Sequence, residues 1–280
     1  METPAARNQY SVSGRAALLL RSRFVILILI YAAATCAAVG TFGFSALTVG
    51  IPAVLFLALI ADGIARPGSS VFYPTVSHGA RNMRRVALSF DDGPDPEVTA
   101  AVLDALTHHS ARATFFVIGQ ALEAHPQLAR RMVAEGHELG NHSWRHSRWQ
   151  NFFWVGKQAQ EIDRCALAIA AVTGSRAQPL YRPPLGIKSP PLAWAATQHG
   201  LTVVAWSLRS HDTSITDPAR IAQHVLKKIR AGDIVLLHDG HDLPELHRPV
   251  CAQALPLILH GLREQGLRCV TVSELLHRQT

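Results

Sequence analysis

The sequence predicts an α/β fold, a (β/α) barrel of about seven units preceded by a transmembrane helical hairpin. Two observations carry this. From residue 85 onward, short apolar runs alternate with amphipathic stretches of about 10–15 residues, the pattern of β/α units on a parallel sheet. Ahead of them, residues 24–61 contain no charged side chain at all. That run is longer than the roughly 20 residues one helix needs to cross a bilayer.

As a single helix the uncharged run would be about 57 Å long. Two spans fit better, over residues 24–40 and 44–61, with a turn around Gly40 and Gly43. Arg7, Arg15, Arg21 and Arg23 precede the first span, and Arg66, Arg81, Arg84 and Arg85 follow the second. The turn has no positive charge. The positive-inside rule then puts both ends in the cytoplasm, giving a multi-pass protein of the cell (inner) membrane with its soluble part on the cytoplasmic side. The alternative is an uncleaved signal anchor of one span with that part outside. The expected organisation is an N-terminal cytoplasmic segment (1–23), two transmembrane helices (24–62), a linker rich in Pro, Gly and Ser (63–84) and one domain (85–280).

In the domain, residues 85–90 form an apolar strand that ends at two aspartates. Residues 97–109 have helical spacing, 113–118 form a strand, and 126–135 form a helix closed by Gly136. Residues 138–141 form a short strand leading into His142. A long amphipathic helix over 154–173 ends at Gly174. Further strands fall at 201–207, 234–238 and 268–272, and further helices at 190–199, 218–230 and 252–266.

The chain has 280 residues, 48% apolar and 17% charged, with a formal net charge of +7. Its arginines are scattered, with no dense basic run interleaved with aromatics, which argues against a nucleic-acid partner. Cys36, Cys165, Cys251 and Cys269 include no C-x-x-C pair. They read as small buried hydrophobes rather than a disulfide framework.

Three places carry chemistry. Asp91 and Asp92 follow a buried strand, where like charges repel unless a cation sits between them; the same residues could also simply cap the next helix. His142 and His146 stand four apart and would share one face of a helix, so both could hold one metal ion. Two imidazoles and one carboxylate make a three-ligand set with a position left for water, a catalytic rather than a structural arrangement. His238 ends a strand, with Asp239 beside it either to orient it or to cap a helix.

Ser89-Phe90-Asp91-Asp92-Gly93-Pro94 resembles the first motif of the NodB-homology polysaccharide deacetylases (carbohydrate esterase family 4). His142-Ser143-x-x-His146 resembles the second, Arg182-Pro183-Pro184-Leu185-Gly186 the third and Leu236-Leu237-His238 the fifth. Order and spacing also match, over about residues 85–276. The resemblance implies a deformed TIM-type barrel. It implies that Asp92, His142 and His146 hold a divalent metal, Zn2+ before Co2+, Ni2+ or Fe2+. Asp91 would be the general base, Arg182 its ion-pair partner and His238 the general acid. The turn Pro184, Leu185 and Gly186 would bind substrate, with the Leu185 N–H at the oxyanion. The fourth motif departs: Arg209 stands where an acid is usual and Thr213 where a Trp is, leaving Asp212 as the residue that would orient His238. Trp206 is either pocket-lining or core.

The expected function is therefore a metal-dependent hydrolase that removes an N-acyl (acetyl) group from an amino sugar. The substrate would be an N-acetylated polysaccharide or, given the cytoplasmic placement, a lipid-linked glycan in the bilayer. A catalytically silent carbohydrate-binding protein on the same scaffold is the alternative, motivated by the altered fourth motif.

Overall fold

A computed structural model describes residues 14–150, 153–174, 179–240 and 250–277. Helix α1 (Gly14–Phe42) runs 29 residues and α2 (Ala46–Ala65) runs 20. Each has a 20-residue stretch of mean hydropathy above 2, almost none of it buried, long and apolar enough to cross a membrane. The turn between them uses Gly43 at φ 76° and Ser45, whose hydroxyl caps α2. Tyr31 stacks on Phe56 across the pair at 4.9 Å. Cys36 is exposed on α1, whereas Cys165 and Cys251 are buried and unbridged.

The stretch expected as a linker is packed against the domain. It carries strand β1 (Thr75–Val76), parallel to a strand near residue 203. Phe72 is buried, and the Tyr73 hydroxyl donates to the Leu201 carbonyl at 2.7 Å. Pro and Gly suppress any periodicity there, but two residues suffice to extend a sheet edge.

The domain continues through β2 (Arg85–Asp91), α3 (Val98–His108), β3 (Thr114–Val117), α4 (Gly119–Ala124), α5 (Pro126–Ala134), β4 (Glu138–Asn141), α6 (Val155–Thr173), β5 (Leu180–Tyr181) and α7 (Pro190–Gln198). It closes through β6 (Thr202–Val204), β7 (Leu208–Arg209), α8 (Pro218–Lys228), β8 (Ile234–His238), α9 (Val250–Glu264), β9 (Arg268–Cys269) and α10 (Val272–Leu276). Helix α4 is the one domain helix of six residues or more that periodicity missed; it is too short to show any.

All ladders between these strands are parallel, in the order β1-β6-β5-β4-β3-β2-β8-β7, with β9 added beside the start of β2. The sheet curls until its ends meet within one chain segment, because β6 pairs with β5 and β7 pairs with β8. Between them, the Ala205 N–H donates to the Val76 carbonyl and the Ser207 N–H to the Ile234 carbonyl. The barrel is thus curled and incompletely closed rather than a full cylinder.

Central strand β2 is buried from Val86 to Asp91, as expected where both faces of a parallel sheet are covered. Period-2 alternation decides what each face receives. Val86, Leu88 and Phe90 enter the large apolar cluster under helices such as α3 and α9. Ala87 joins the smaller cluster with Phe116, Val204, Trp206 and Leu236. Ser89 and Asp91 share the parity of Ala87, which places both polar side chains inside the curl.

Candidate metal centre and active site

The polar residues that end β2, β4, β5 and β8 converge at the C-terminal edge of the sheet. Asp92 follows β2 in a left-handed conformation, φ 73°. His142 follows β4, and His146 lies four residues on. The helical pairing expected for the two histidines is not what brings them together: Ser143 and His146 have φ 72° and 51°, so the segment is a folded loop. Asn141 holds it, its Oδ1 accepting from the Ser143 N–H at 2.9 Å, and the Ser143 hydroxyl accepts from the His146 N–H at 3.0 Å.

The Nε2 atoms of His142 and His146 each lie 3.4 Å from Asp92 Oδ1. That oxygen is buried and accepts no hydrogen bond from any described residue. A buried carboxylate oxygen without a partner is costly unless a cation meets it. On the far side of its ring, His142 Nδ1 lies 2.8 Å from the Arg182 carbonyl. That contact needs the proton on Nδ1 and leaves the Nε2 lone pair facing Asp92. The charges agree. Burial raises the Asp92 carboxyl, yet the two imidazoles bring it below its ordinary range. Burial lowers His142, yet Asp91 and Asp92 raise it on balance. The three donor atoms lie within 4.8 Å of one another, and they fit a divalent ion.

Asp91 points to the same spot from the other side. Its Oδ2 is 3.7 Å from His142 Nε2, while its Oδ1 accepts from Arg182 Nη1 at 2.6 Å. Arg182 is fully buried, which removes the surface reading of this residue. Nη1 also donates to the Ser89 hydroxyl at 2.9 Å, Nη2 to the Ala205 carbonyl at 3.1 Å and Nε to the Val204 carbonyl at 3.3 Å. The guanidinium lies 4.0 Å from the Phe116 ring centre. Such a fork fixes Asp91 far better than a lysine would.

Opposite Asp91 stands His238. Its Nδ1 is 2.9 Å from Asp212 Oδ1, and its backbone N–H donates to Asp212 Oδ2 at 2.7 Å. Burial lowers the imidazole, but the Asp212 carboxylate outweighs it, aided by Asp92 and Asp91, and the ring is pushed up to about 9. Asp212 itself is lowered below the usual carboxylate range: burial raises it, and His238 overrides that. Arg209 takes no part in this pair; it is exposed, its guanidinium 5.2 Å from the Trp206 ring.

After Arg182 the chain makes a single 3-10 turn, Pro184–Gly186. Leu185 there is left-handed (φ 59°) and half exposed. Gly186 has φ 68°, and a Cβ on it would come within 2.5 Å of the Trp206 ring. Trp206 is thus both core and wall: it belongs to the inner apolar cluster and backs the turn. Among the described residues Asp239 neither bonds to His238 nor caps a helix. Its Oδ2 accepts from the Thr99 hydroxyl at 2.6 Å, and burial with Asp91 and Asp92 nearby pushes it up to about 7. The supporting roles of Ser89, Thr99 and Asn141 are not legible in the sequence, apart from a serine standing inside an otherwise apolar strand.

A three-donor metal centre, flanked by an ion-paired carboxylate and a carboxylate-backed imidazole at the open face of a parallel β/α barrel, is that of a metal-dependent hydrolase. Comparison with known proteins gives the family. The polysaccharide deacetylase family model matches residues 78–204. The chain is 38% identical over 197 residues to the peptidoglycan-N-acetylglucosamine deacetylase of Bacillus cereus, covering 70% of this chain and 89% of that one. It is 38% identical over 193 residues to the chitooligosaccharide deacetylase of a Bradyrhizobium species, covering 65% and 86%. The structure of peptidoglycan deacetylase PdaC from Bacillus subtilis superposes with a TM-score of 0.63 at 32% identity, over 70% of this chain and 91% of that one. This chain belongs to the polysaccharide deacetylase family, whose deacetylases are metal-dependent hydrolases. The same fold is shared by a CE4 family pseudoenzyme from Bacillus anthracis (TM-score 0.65, 24% identity, 72% and 69% covered), a likeness of fold alone.

Proposed function

We propose that this protein removes the N-acetyl group from an amino sugar of a lipid-linked glycan, on the cytoplasmic side of the inner membrane that α1 and α2 span. The observation that carries the chemistry is the pairing on either side of the Asp92–His142–His146 triad: Asp91 with Arg182, and His238 with Asp212. Asp92, His142 and His146 would hold a divalent ion, zinc by donor type, which would polarise the acyl carbonyl and acidify water there. Asp91 takes a proton from the attacking water; Arg182 fixes its Oδ1 and leaves Oδ2 free for the transfer. The Leu185 N–H, in its left-handed turn, donates to the oxygen on which negative charge develops. His238 is held as an imidazolium by Asp212 and gives its proton to the departing amine. Trp206 and the Pro184–Gly186 turn wall the sugar.

The relatives' substrates, peptidoglycan and chitooligosaccharides, support an N-acetylated glycan. The arginines on both sides of the hairpin and the uncharged turn support the membrane side. The silent-binder reading draws on the altered fourth motif. Against it, both proton-carrying residues are present and partnered.

Purified full-length protein in detergent, assayed for acetate release from N-acetylated chitooligosaccharides with its metal content measured, tests the reading. Stoichiometric metal and turnover are expected in the parent. Asp91→Asn should retain the metal and lose about 10²- to 10⁴-fold in kcat, while a His142→Ala/His146→Ala variant should lose both. Full activity in Asp91→Asn would sink the assignment, and a metal-free, inactive parent would bring the binding-protein reading forward.

A further inference from the structure

The rim of the site carries an apolar feature that hydrolysis does not require. Among the described residues of the domain, six large hydrophobic side chains are exposed: Val133, Trp149, Trp154, Leu167, Leu185 and Leu257. Three of them stand on two neighbouring loops at the catalytic edge of the sheet. Trp149 (71% exposed) and Trp154 (74%) lie between His146 and α6, and Leu185 (50%) lies between Arg182 and α7. Each tryptophan is held beside a packed residue. Gln150, next to Trp149, donates through Nε2 to the Tyr181 hydroxyl at 2.9 Å, and Gln158 Nε2 donates to the Gln150 carbonyl at 2.6 Å. The Trp154 ring lies over Gly156, where a Cβ would meet it at 2.4 Å.

A second, independent observation concerns where the apolar helices meet the domain. Lys188, buried and three residues beyond Leu185, donates through Nζ to the carbonyls of Arg66 (2.8 Å) and Pro67 (2.7 Å). Those are the first two residues after α2. Arg23, where the apolar part of α1 begins, donates to the Ser70 carbonyl at 3.2 Å, and Phe24 packs edge-on against the buried Phe72. Helix α1 also lies against α7, which starts two residues after Lys188. The end of α2 thus joins the loop that carries Leu185, and α1 packs beside it on residues 70–72 and on α7. Lys188 lies six positions along the chain from Arg182, so about 20 Å of extended backbone at most separates the two, and the Lys188 side chain bridges from there to the end of α2.

We infer that Trp149, Trp154 and Leu185 form a surface that seats in the headgroup layer of the bilayer, so that the glycan enters the site from the lipid side. The inference rests on the reading of α1 and α2 as membrane spans. Tryptophan favours this layer because its ring is apolar and its N–H still finds a partner there. The occupant is the lipid interface because the rim adjoins the end of the hairpin; a rim built only to stack sugars would have no need of that neighbour.

The test uses the full chain reconstituted into phosphatidylcholine–phosphatidylglycerol vesicles, with and without phosphatidylcholine brominated high on the acyl chain. The parent is compared with a Trp149→Phe/Trp154→Phe variant, and the difference emission reports the two rim rings. At least about half of that difference emission should be quenched by the brominated lipid, with a blue-shifted maximum. If the protein floats with the vesicles but the difference emission is unquenched, the rim faces water and the inference is overturned. It is overturned in favour of a glycan platform if added chitooligosaccharide shifts that emission in its place. If the protein does not float with the vesicles, the membrane reading itself has failed, and the inference with it.

Discussion

Asp212→Asn is the perturbation that reports most directly on proton transfer. Burial lowers His238, but Asp212, 2.9 Å from Nδ1, overrides it and carries the ring from 6.5 to about 9. That is a preference for the imidazolium of roughly 3 kcal/mol. Asn keeps the shape and one acceptor but removes the charge, so burial is opposed only by Asp92 and Asp91 and the ring falls back towards its ordinary 6.5. At pH 7.5 a ring at 6.5 is protonated to only about 0.09 against about 0.97 in the parent, roughly a tenfold loss in kcat/KM. The pH profile carries more than the rate. The parent should lose activity above a basic limb near 9, and the variant should lose it above about 6.5. Stability should move with the same sign. Because the folded ring titrates higher than the unfolded one, the pair's contribution is fully present below about 6.5 and is lost as pH rises through about 9. The Asp212→Asn deficit in urea unfolding should therefore be largest below about 6.5 and shrink as pH rises to about 9. An unchanged basic limb in the variant would refute the assignment of His238 as the acid held by Asp212.

Two further outcomes follow from the same framework. Arg182→Met removes a fully buried partner and leaves the Asp91 carboxylate unpaired; a loss of about 3–5 kcal/mol is expected by urea denaturation, and a loss no larger than that of a surface arginine would contradict the ion-pair geometry. A phosphatase that works only in the periplasm, fused after Thr280, should stay inactive while a cytoplasmic reporter at the same place is active; the reverse would move the active site outside.

Local chemistry made much of this protein legible in one dimension. The uncharged run, the alternation of strands and helices, and the position of each motif just after a strand need only spacing and hydropathy. Those fixed the β/α class, and the identities of Asp91, Asp92, His142, His146, Arg182 and His238 fixed the chemistry to look for. Tertiary structure decided the rest because it rests on contacts between residues far apart in the chain. That Arg182 binds Asp91 rather than solvent depends on a 91-residue separation closed by the curl of the sheet. That Asp212 rather than Asp239 backs His238 depends on β7 lying beside β8. That the two histidines meet through left-handed backbone at Ser143 and His146 could not be read from their spacing, since local sterics disfavour the conformation and only the packed loop imposes it. The supposed linker shows the same limit. Its composition says turn and coil, and only the presence of β6 and Lys188 turns it into a strand and an anchoring point for the apolar helices.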